Sequence, residues 1–285
     1  MPDYRGADGA SLHYDERDRS DGGSPLVVLA GGAARHPAYL GDLAGLDRRH
    51  RLIVPHLRGV GASPAPPRPE TGSYWAQACD IDALRAQLGL DTVRVLAHSA
   101  GTRLAMAYAA QFPAGPAALV LVTPPAGHLV DVPDDIPELI AARRGDPDFE
   151  TALATWAAGP PTATTDLVEW QRQTGPFGYA GWGPAQRAHN EVGRVDFAAN
   201  RAYFSVEPPA GWVTGLSAVT APVLVVAGGG DCVTGVAPVL AVAGLFRNGR
   251  AATVDGSGHY PWVEQPARFR AVVDEFLQAP PSPVA

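Results

Sequence analysis

The chain has 285 residues, 46% hydrophobic and 18% charged, with a net charge of −7. It is long enough for one large α/β domain with an insertion, and its acidity argues against nucleic acid, whose binding depends on clustered cations. All 22 basic side chains are Arg, so there is no Lys to act as a general base or Schiff-base former.

Two cysteines, Cys79 and Cys232, are too few for a disulfide framework, and reduced buried thiols are expected. No run approaches the ~18 apolar residues of a membrane span. Met1 to Arg5 has no basic-then-apolar signal pattern, so the expectation is a cytoplasmic protein with no membrane partner.

In chain order, Ser11 to Asp15 alternates weakly, and Leu26 to Ala30 is a continuous apolar run of the kind found in buried parallel strands. Pro37 to Leu46 reads as a helix with Pro near its start. Leu52-Ile53-Val54 is a further strand, and Pro64 to Pro69 is a loop. Ser73 to Leu88 is an amphipathic helix, with Trp75, Ile81, Leu84 and Leu88 on one face. A β-branched run, Thr92 to Leu96, precedes an Ala-rich helix over Thr102 to Gln111, and Ala117 to Val122 is the next strand. From about Pro124 to Gly215 the rhythm stops, giving way to helical fragments, Pro, Gly and aromatics. It resumes with a strand over Pro222 to Ala227, a helix over Gly235 to Phe246, a strand over Ala251 to Val254 and a helix over Pro266 to Leu277, before a Pro-rich frayed tail, Pro280 to Ala285. Strands alternating with helices predict an α/β fold with a mostly parallel sheet covered on both faces. Residues 1–123 and 216–285 would form this core, with 124–215 inserted as a helical layer.

Between the Thr92 run and its helix lies Ala97-His98-Ser99-Ala100-Gly101. A strand that turns into a helix through a lone Ser flanked by tiny residues is a nucleophile elbow. The tight turn holds the Ser in strained backbone and projects its hydroxyl above the sheet edge, over the free N–H groups of the helix. A Ser hydroxyl needs an adjacent base, and that base needs a group to orient it. Asp231 follows the strand ending at Ala227, in Gly228-Gly229-Gly230-Asp231. His259 follows the last strand, in Gly258-His259-Tyr260-Pro261. Both fall beyond the C-terminal ends of their strands, where open α/β sheets bind ligands. The order Ser99, Asp231, His259 is that of this hydrolase architecture. Asp255 is a rival acid, but it sits only four residues from His259 on the same loop.

A tetrahedral intermediate needs two preorganised N–H donors. Ala100 supplies one, and the Gly31-Gly32-Ala33 loop supplies the other, with Gly32 favoured over its neighbour Ala33. His98, beside the Ser, points to the other side of the turn and reads as structural, although it counts with Ala33 and Tyr260 among the pocket candidates. None of the eight His falls at a helical ligand spacing with carboxylates or Cys, so no metal or other cofactor is expected.

These stretches together resemble the α/β-hydrolase superfamily, in the branch of proline iminopeptidases, capped esterases and haloperoxidase-type hydrolases. The resemblance runs through Ala30-Gly31-Gly32-Ala33-Ala34, Arg58-Gly59-Val60-Gly61-Ala62-Ser63, the elbow, the Gly-Gly-Gly-Asp turn and Gly258 to Trp262, and covers residues 20–123 and 215–278. Three positions depart from the pattern: Ala97 stands where the usual elbow has Gly two before the Ser, Ala30 where the family has His before the oxyanion Gly, and His56 where it has Asp two before the Arg. The resemblance implies an eight-stranded sheet, a helical cap over Ser99, and acyl-transfer chemistry by Ser99, Asp231 and His259 with Gly32 and Ala100 as oxyanion donors. A Ser at the elbow speaks against dehalogenase or epoxide hydrolase chemistry, which such proteins perform with Asp.

The inserted segment holds Trp156, Trp170, Trp182 and Trp212, and its twelve acids against six Arg carry −6 of the net charge. Trp156 and Trp182 are candidates to face the substrate. Iminopeptidases hold a free amine with cap carboxylates, which makes Glu169 and Glu191 the candidates here. The expected function is hydrolysis of an ester or amide of a small-molecule substrate. Left open are an iminopeptidase-like aminopeptidase, a carbon–carbon bond or biosynthetic tailoring hydrolase, and a non-catalytic small-molecule receptor.

Overall fold

The computed structural model describes residues 2–20, 22–161 and 164–278, of which 164–166 by their backbone alone; the Pro-rich stretch 280–285 lies outside them. Eight strands form one sheet: β1 (Asp3–Arg5), β2 (Ser11–Arg17), β3 (Pro25–Leu29), β4 (Arg51–Pro55), β5 (Val93–His98), β6 (Pro116–Val122), β7 (Val223–Gly228) and β8 (Gly249–Val254). Their order is β1-β2-β4-β3-β5-β6-β7-β8. The first two pairings, β1 with β2 and β2 with β4, are antiparallel, and all the others are parallel.

The apolar runs are continuous because alternate residues of each strand enter different cores. Val27, Leu29, Val95, Leu119, Leu121 and Val225 pack with α1 (Tyr74–Gln87) and α2 (Gly101–Gln111) on one face. Their neighbours Leu26, Val28, Leu96, Val120 and Val226 face Trp262, Phe269 and Val273, which lie in the C-terminal helices. Ser73 caps α1, its hydroxyl accepting from the Ala76 N–H at 3.2 Å.

Between β6 and β7 the described residues form five α-helices: α3 (Ile136–Arg143), α4 (Pro147–Ala157), α5 (Thr164–Gln173), α6 (Pro184–Asn190) and α7 (Phe197–Tyr203). Phe149, Ala152 and Phe177 form a small core of their own that also takes in Cys232. Burial there pushes the Cys232 thiol up to about 11. The chain returns to the sheet through α8 (Ala237–Ala241) and ends in α9 (Pro261–Glu264) and α10 (Pro266–Gln278). No helix among the described residues is long and apolar enough to cross a membrane.

Two expected helices are broken. In place of a helix over Pro37 to Leu46, a 3₁₀ turn at Pro37–Leu40 ends where Gly41, Leu43, Ala44 and Gly45 all take positive φ. The helix expected over Gly235 to Phe246 is one α-turn, Ala237–Ala241, followed by a 3₁₀ turn, Val242–Leu245.

Candidate active site

The elbow is built as its small residues require. Ser99 sits at φ +50°, held by its N–H donating to Val122 O at 2.8 Å and its carbonyl accepting from Thr102 N–H at 2.9 Å. A Cβ at Gly101 would lie 2.5 Å from Ala30 O, and one at Gly31 would lie 2.9 Å from Ser99 Cβ. Those two glycines let the elbow and the loop after β3 touch through backbone. Ala97, two residues before the Ser, is fully buried without such a clash.

The Ser99 hydroxyl donates to His259 Nε2 at 2.8 Å, and His259 Nδ1–H donates to Asp231 Oδ2, also at 2.8 Å. Asp231 is 0% exposed. Its other contacts are the Val233 N–H at 2.8 Å, the Thr234 N–H at 3.3 Å and the Thr234 hydroxyl at 2.5 Å. Asp231 thus only accepts, which leaves the imidazole proton on Nδ1 and the lone pair on Nε2 facing Ser99. The rival Asp255 is exposed, away from the imidazole. Gly32 takes φ +65°, and among the described residues neither its N–H nor that of Ala100 has an acceptor within the chain.

His98 belongs to a second, wholly buried chain of hydrogen bonds. Gly31 N–H donates to Tyr39 Oη at 2.6 Å, the Tyr39 hydroxyl donates to His98 Nδ1 at 2.8 Å, and His98 Nε2–H donates to the His259 carbonyl at 2.9 Å. This chain ties the Gly31 loop to the His259 loop beneath the reactive side chains. Burial, reinforced by His259, holds His98 well below its usual range, so the ring stays neutral.

Helical elements bind both loops from the other side. The His259 N–H donates to Gly178 O at 2.8 Å. Glu264 accepts from Gly258 N–H at 2.6 Å, Ala180 N–H at 2.9 Å and Gly181 N–H at 3.1 Å. Burial pushes the Glu264 carboxyl up, opposed by those three donors. At the other loop Arg35 bridges Val195, His36 N–H donates to Arg194 O at 2.8 Å, and Asp196 N–H donates to Ala34 O at 3.2 Å.

Between these contacts lies a cavity of about 280 Å³ lined by Ser99, His259, Gly32, His98 and Tyr260, together with residues of the helical segment. One wall is a ladder of rings, Trp170 stacked on Trp156 (5.5 Å between centroids) and Trp156 on Phe177 (5.0 Å), backed by Phe149 behind Phe177 (5.8 Å). Trp156 also opens to solvent, at 42% exposure.

Four expected pocket residues do not reach this cavity. Trp182 and Glu191 border a separate surface groove. Glu169 is exposed and paired with Arg172 at 2.6 Å. Ala33 is buried, its carbonyl accepting from Asn200 Nδ2 at 2.9 Å. Glu169 thus meets its partner at the surface, as solvent favours. No motif singles out Arg35, Tyr39 or Asn190, and Trp170 and Phe177 stand out only as two aromatics of the inserted segment; all five line the cavity. Only Arg35, three residues beyond Gly32, lay close enough to a motif to be noticed.

Among the described residues one group has metal-ligand composition, His13, Asp15 and His56, with ligand atoms within 4.8 Å of one another. His56 Nδ1 accepts from Ala62 N–H at 3.1 Å. That places the ring proton on Nε2, 3.3 Å from Asp15 Oδ2, so the atom turned toward the carboxylate carries a proton and offers no lone pair to a metal.

The buried histidines predict an acid sensitivity. Burial, then Arg94, brings His50 down to about 4; burial, then Arg35, does the same for His189; His98 lies lower than its usual value as well. With folded values below the unfolded one near 6.5, the unfolded chain binds more protons between the two. Their contribution is whole above about pH 6.5 and falls as the pH drops toward 4. The melting temperature should therefore decline from pH 6.5 to 4, while Asp8, held to about 2 chiefly by its hydrogen bond with Arg58, remains charged. Thermal unfolding followed by circular dichroism checks this, and a flat profile over that range contradicts it.

The chain is similar over nearly its whole length to a proline iminopeptidase of Heyndrickxia coagulans, 25% identical over 95% of this chain and 96% of that protein. It is also similar to an N-formylmaleamate deformylase of Pseudomonas putida, 33% identical over 53% of this chain and 58% of that one. Its fold superposes on an esterase from Rhodococcus with a TM-score of 0.70 and 25% identity, covering 98% of each chain. The sequence model of the alpha/beta hydrolase fold matches residues 24–266; the protein belongs to that family and is a hydrolytic enzyme.

Proposed function

We propose that the protein is a serine hydrolase that cleaves an ester of a small-molecule substrate through an acyl-enzyme, with the helices of 124–215 as its lid. The observation that carries this reading is the line of two 2.8 Å hydrogen bonds from Ser99 through His259 to Asp231. Ser99 Oγ attacks the carbonyl carbon as its proton passes to His259 Nε2, and Asp231 stabilises the imidazolium that forms. The N–H groups of Gly32 and Ala100 receive the oxyanion. His259 then returns the proton to the departing alkoxide, leaving an ester of Ser99. A water, deprotonated by the same imidazole, releases the acid.

The iminopeptidase relative supports this chemistry more than its substrate. A free amine needs an anion near the nucleophile. Among the described residues no Asp or Glu lines the cavity, and the charged side chain that does is Arg35. A volume of about 280 Å³ is at the small end of ligand sites and fits short acyl groups.

The test is a panel of p-nitrophenyl esters from acetate to octanoate with Pro-p-nitroanilide, alongside labelling by a fluorophosphonate. Short esters should be turned over well above the anilide, and mass spectrometry should find the label on Ser99. Absence of both turnover and label, or a label on another residue, would overturn the assignment.

A further inference from the structure

Arg35 puts a positive charge into the cavity wall that the acyl transfer described above does not use. It is half-buried and sits among Ser99, Tyr39, His259 and Tyr260 as the one Arg, Asp or Glu among the described lining residues. Its guanidinium lies 4.2 Å from the centre of the Tyr39 ring. Nε donates to Gly193 O at 2.8 Å, Nη2 to Val192 O at 2.6 Å, and Nη1 to the Tyr260 hydroxyl at 3.1 Å. All three acceptors are neutral, and among the described residues no carboxylate lies within 4 Å of it. Three of its five N–H groups are engaged, which leaves one on Nη1 and one on Nη2.

A cation drawn partly out of water with only neutral partners is costly. The three contacts hold it rigid, so little further ordering is needed when an anion arrives. The inserted segment carries twelve acids against six Arg, yet among its described side chains none pairs with this charge. Two free N–H groups on one planar fork suit a carboxylate.

We propose that Arg35 anchors a carboxylate carried by the substrate, so that the enzyme prefers anionic esters, such as half-esters of dicarboxylic acids, over neutral ones of the same size. This rests on the serine hydrolase reading and names the substrate class for that site. The carboxylate belongs either to the acyl group or to the leaving group, and two substrate pairs distinguish these. Mono-4-nitrophenyl glutarate against 4-nitrophenyl pentanoate probes the acyl side, and 4-acetoxybenzoate against 4-acetoxybenzamide probes the leaving-group side.

The readout is the anionic-to-neutral ratio of kcat/KM within each variant, which cancels any loss common to both substrates from loosening the Val192–Gly193 contact. In at least one pair the wild-type ratio should exceed that of Arg35→Gln by about tenfold or more, the scale of one charge-assisted hydrogen bond, with Arg35→Lys in between. A ratio unchanged in Arg35→Gln for both pairs overturns the proposal. Should Arg35→Gln not fold, competitive inhibition of the wild type by glutarate decides: it should be stronger than by glutaramide and weaken as salt is raised, and equal inhibition by the two overturns the anchor. If the wild type hydrolyses no ester and Ser99 takes no label, the hydrolase reading has failed separately. Calorimetric binding of glutarate to the wild type then supports or overturns the carboxylate site by itself.

Discussion

Ser99→Ala is expected to lower kcat for the best p-nitrophenyl ester by roughly 10⁴- to 10⁶-fold, a loss of about 5–8 kcal/mol of transition-state stabilisation. The variant keeps the elbow, because what holds Ser99 at φ +50° is the bond from its N–H to Val122 and the bond from Thr102 to its carbonyl. Its melting temperature should stay close to the parent's. The double variant Ser99→Ala, His259→Ala should be no slower than either single change, since nucleophile and base act as one unit. Residual catalysis over water would come from the free N–H groups of Gly32 and Ala100. Purified Ser99→Ala retaining more than about a hundredth of the parent rate is incompatible with the proposed mechanism.

The largest expected effect on stability lies away from the cavity. Asp80→Ala should destabilise the fold by about 3–5 kcal/mol and lower the melting temperature by roughly 5–10 °C. Arg58 is 4% exposed and grips Asp80 through two bonds, Nε to Oδ2 at 2.7 Å and Nη2 to Oδ1 at 2.8 Å. Removing that carboxylate leaves the buried guanidinium with only the exposed Asp8 as an anionic partner. The same Arg makes two bonds to Asp8, at 2.8 and 2.9 Å, but Asp8 is partly exposed and solvent takes over much of its role. Asp8→Ala should accordingly cost about 1 kcal/mol or less. Equal losses from the two changes, measured by urea unfolding, would contradict this account. The Arg58 to Ser63 stretch, which in sequence resembles a family motif, is scaffolding by this argument: it turns β4 toward α1 and backs α7, where a Cβ at Gly59 would meet Ala199 at 3.1 Å.

The sheet could be read in advance because Leu26 to Ala30, Ala117 to Val122 and Pro222 to Ala227 are buried on both faces, and two-sided burial leaves an unbroken apolar run. The segment after Pro37 could not, because two of its four positive-φ positions, Leu43 and Ala44, are residues that ordinarily favour a helix. Ser99, Asp231 and His259 each sit in a short motif at the end of a strand, so local sequence places them together. The cavity walls are different in kind. Tyr39 comes to line one cavity with Trp170 and Phe177 only because distant segments fold over one another, and their aromatic character fits an ordinary core equally well. Glu169 and Glu191 misled for the same reason, since composition locates charge along the chain but does not say which way it faces.

The helical segment is sewn to both loops that flank Ser99: through Gly178 and Glu264 to the His259 loop, and through Arg194 and Val195 to the loop that carries Gly32. It is therefore a poor candidate for modular exchange. A chimera that receives residues 124–215 from a relative would inherit that relative's aromatic walls but lose the backbone acceptors that fix the His259 and Gly32 loops here. Grafts cut inside these seams, keeping 178–181 and 192–196 from this chain, would vary the substrate wall while leaving the reacting groups in register.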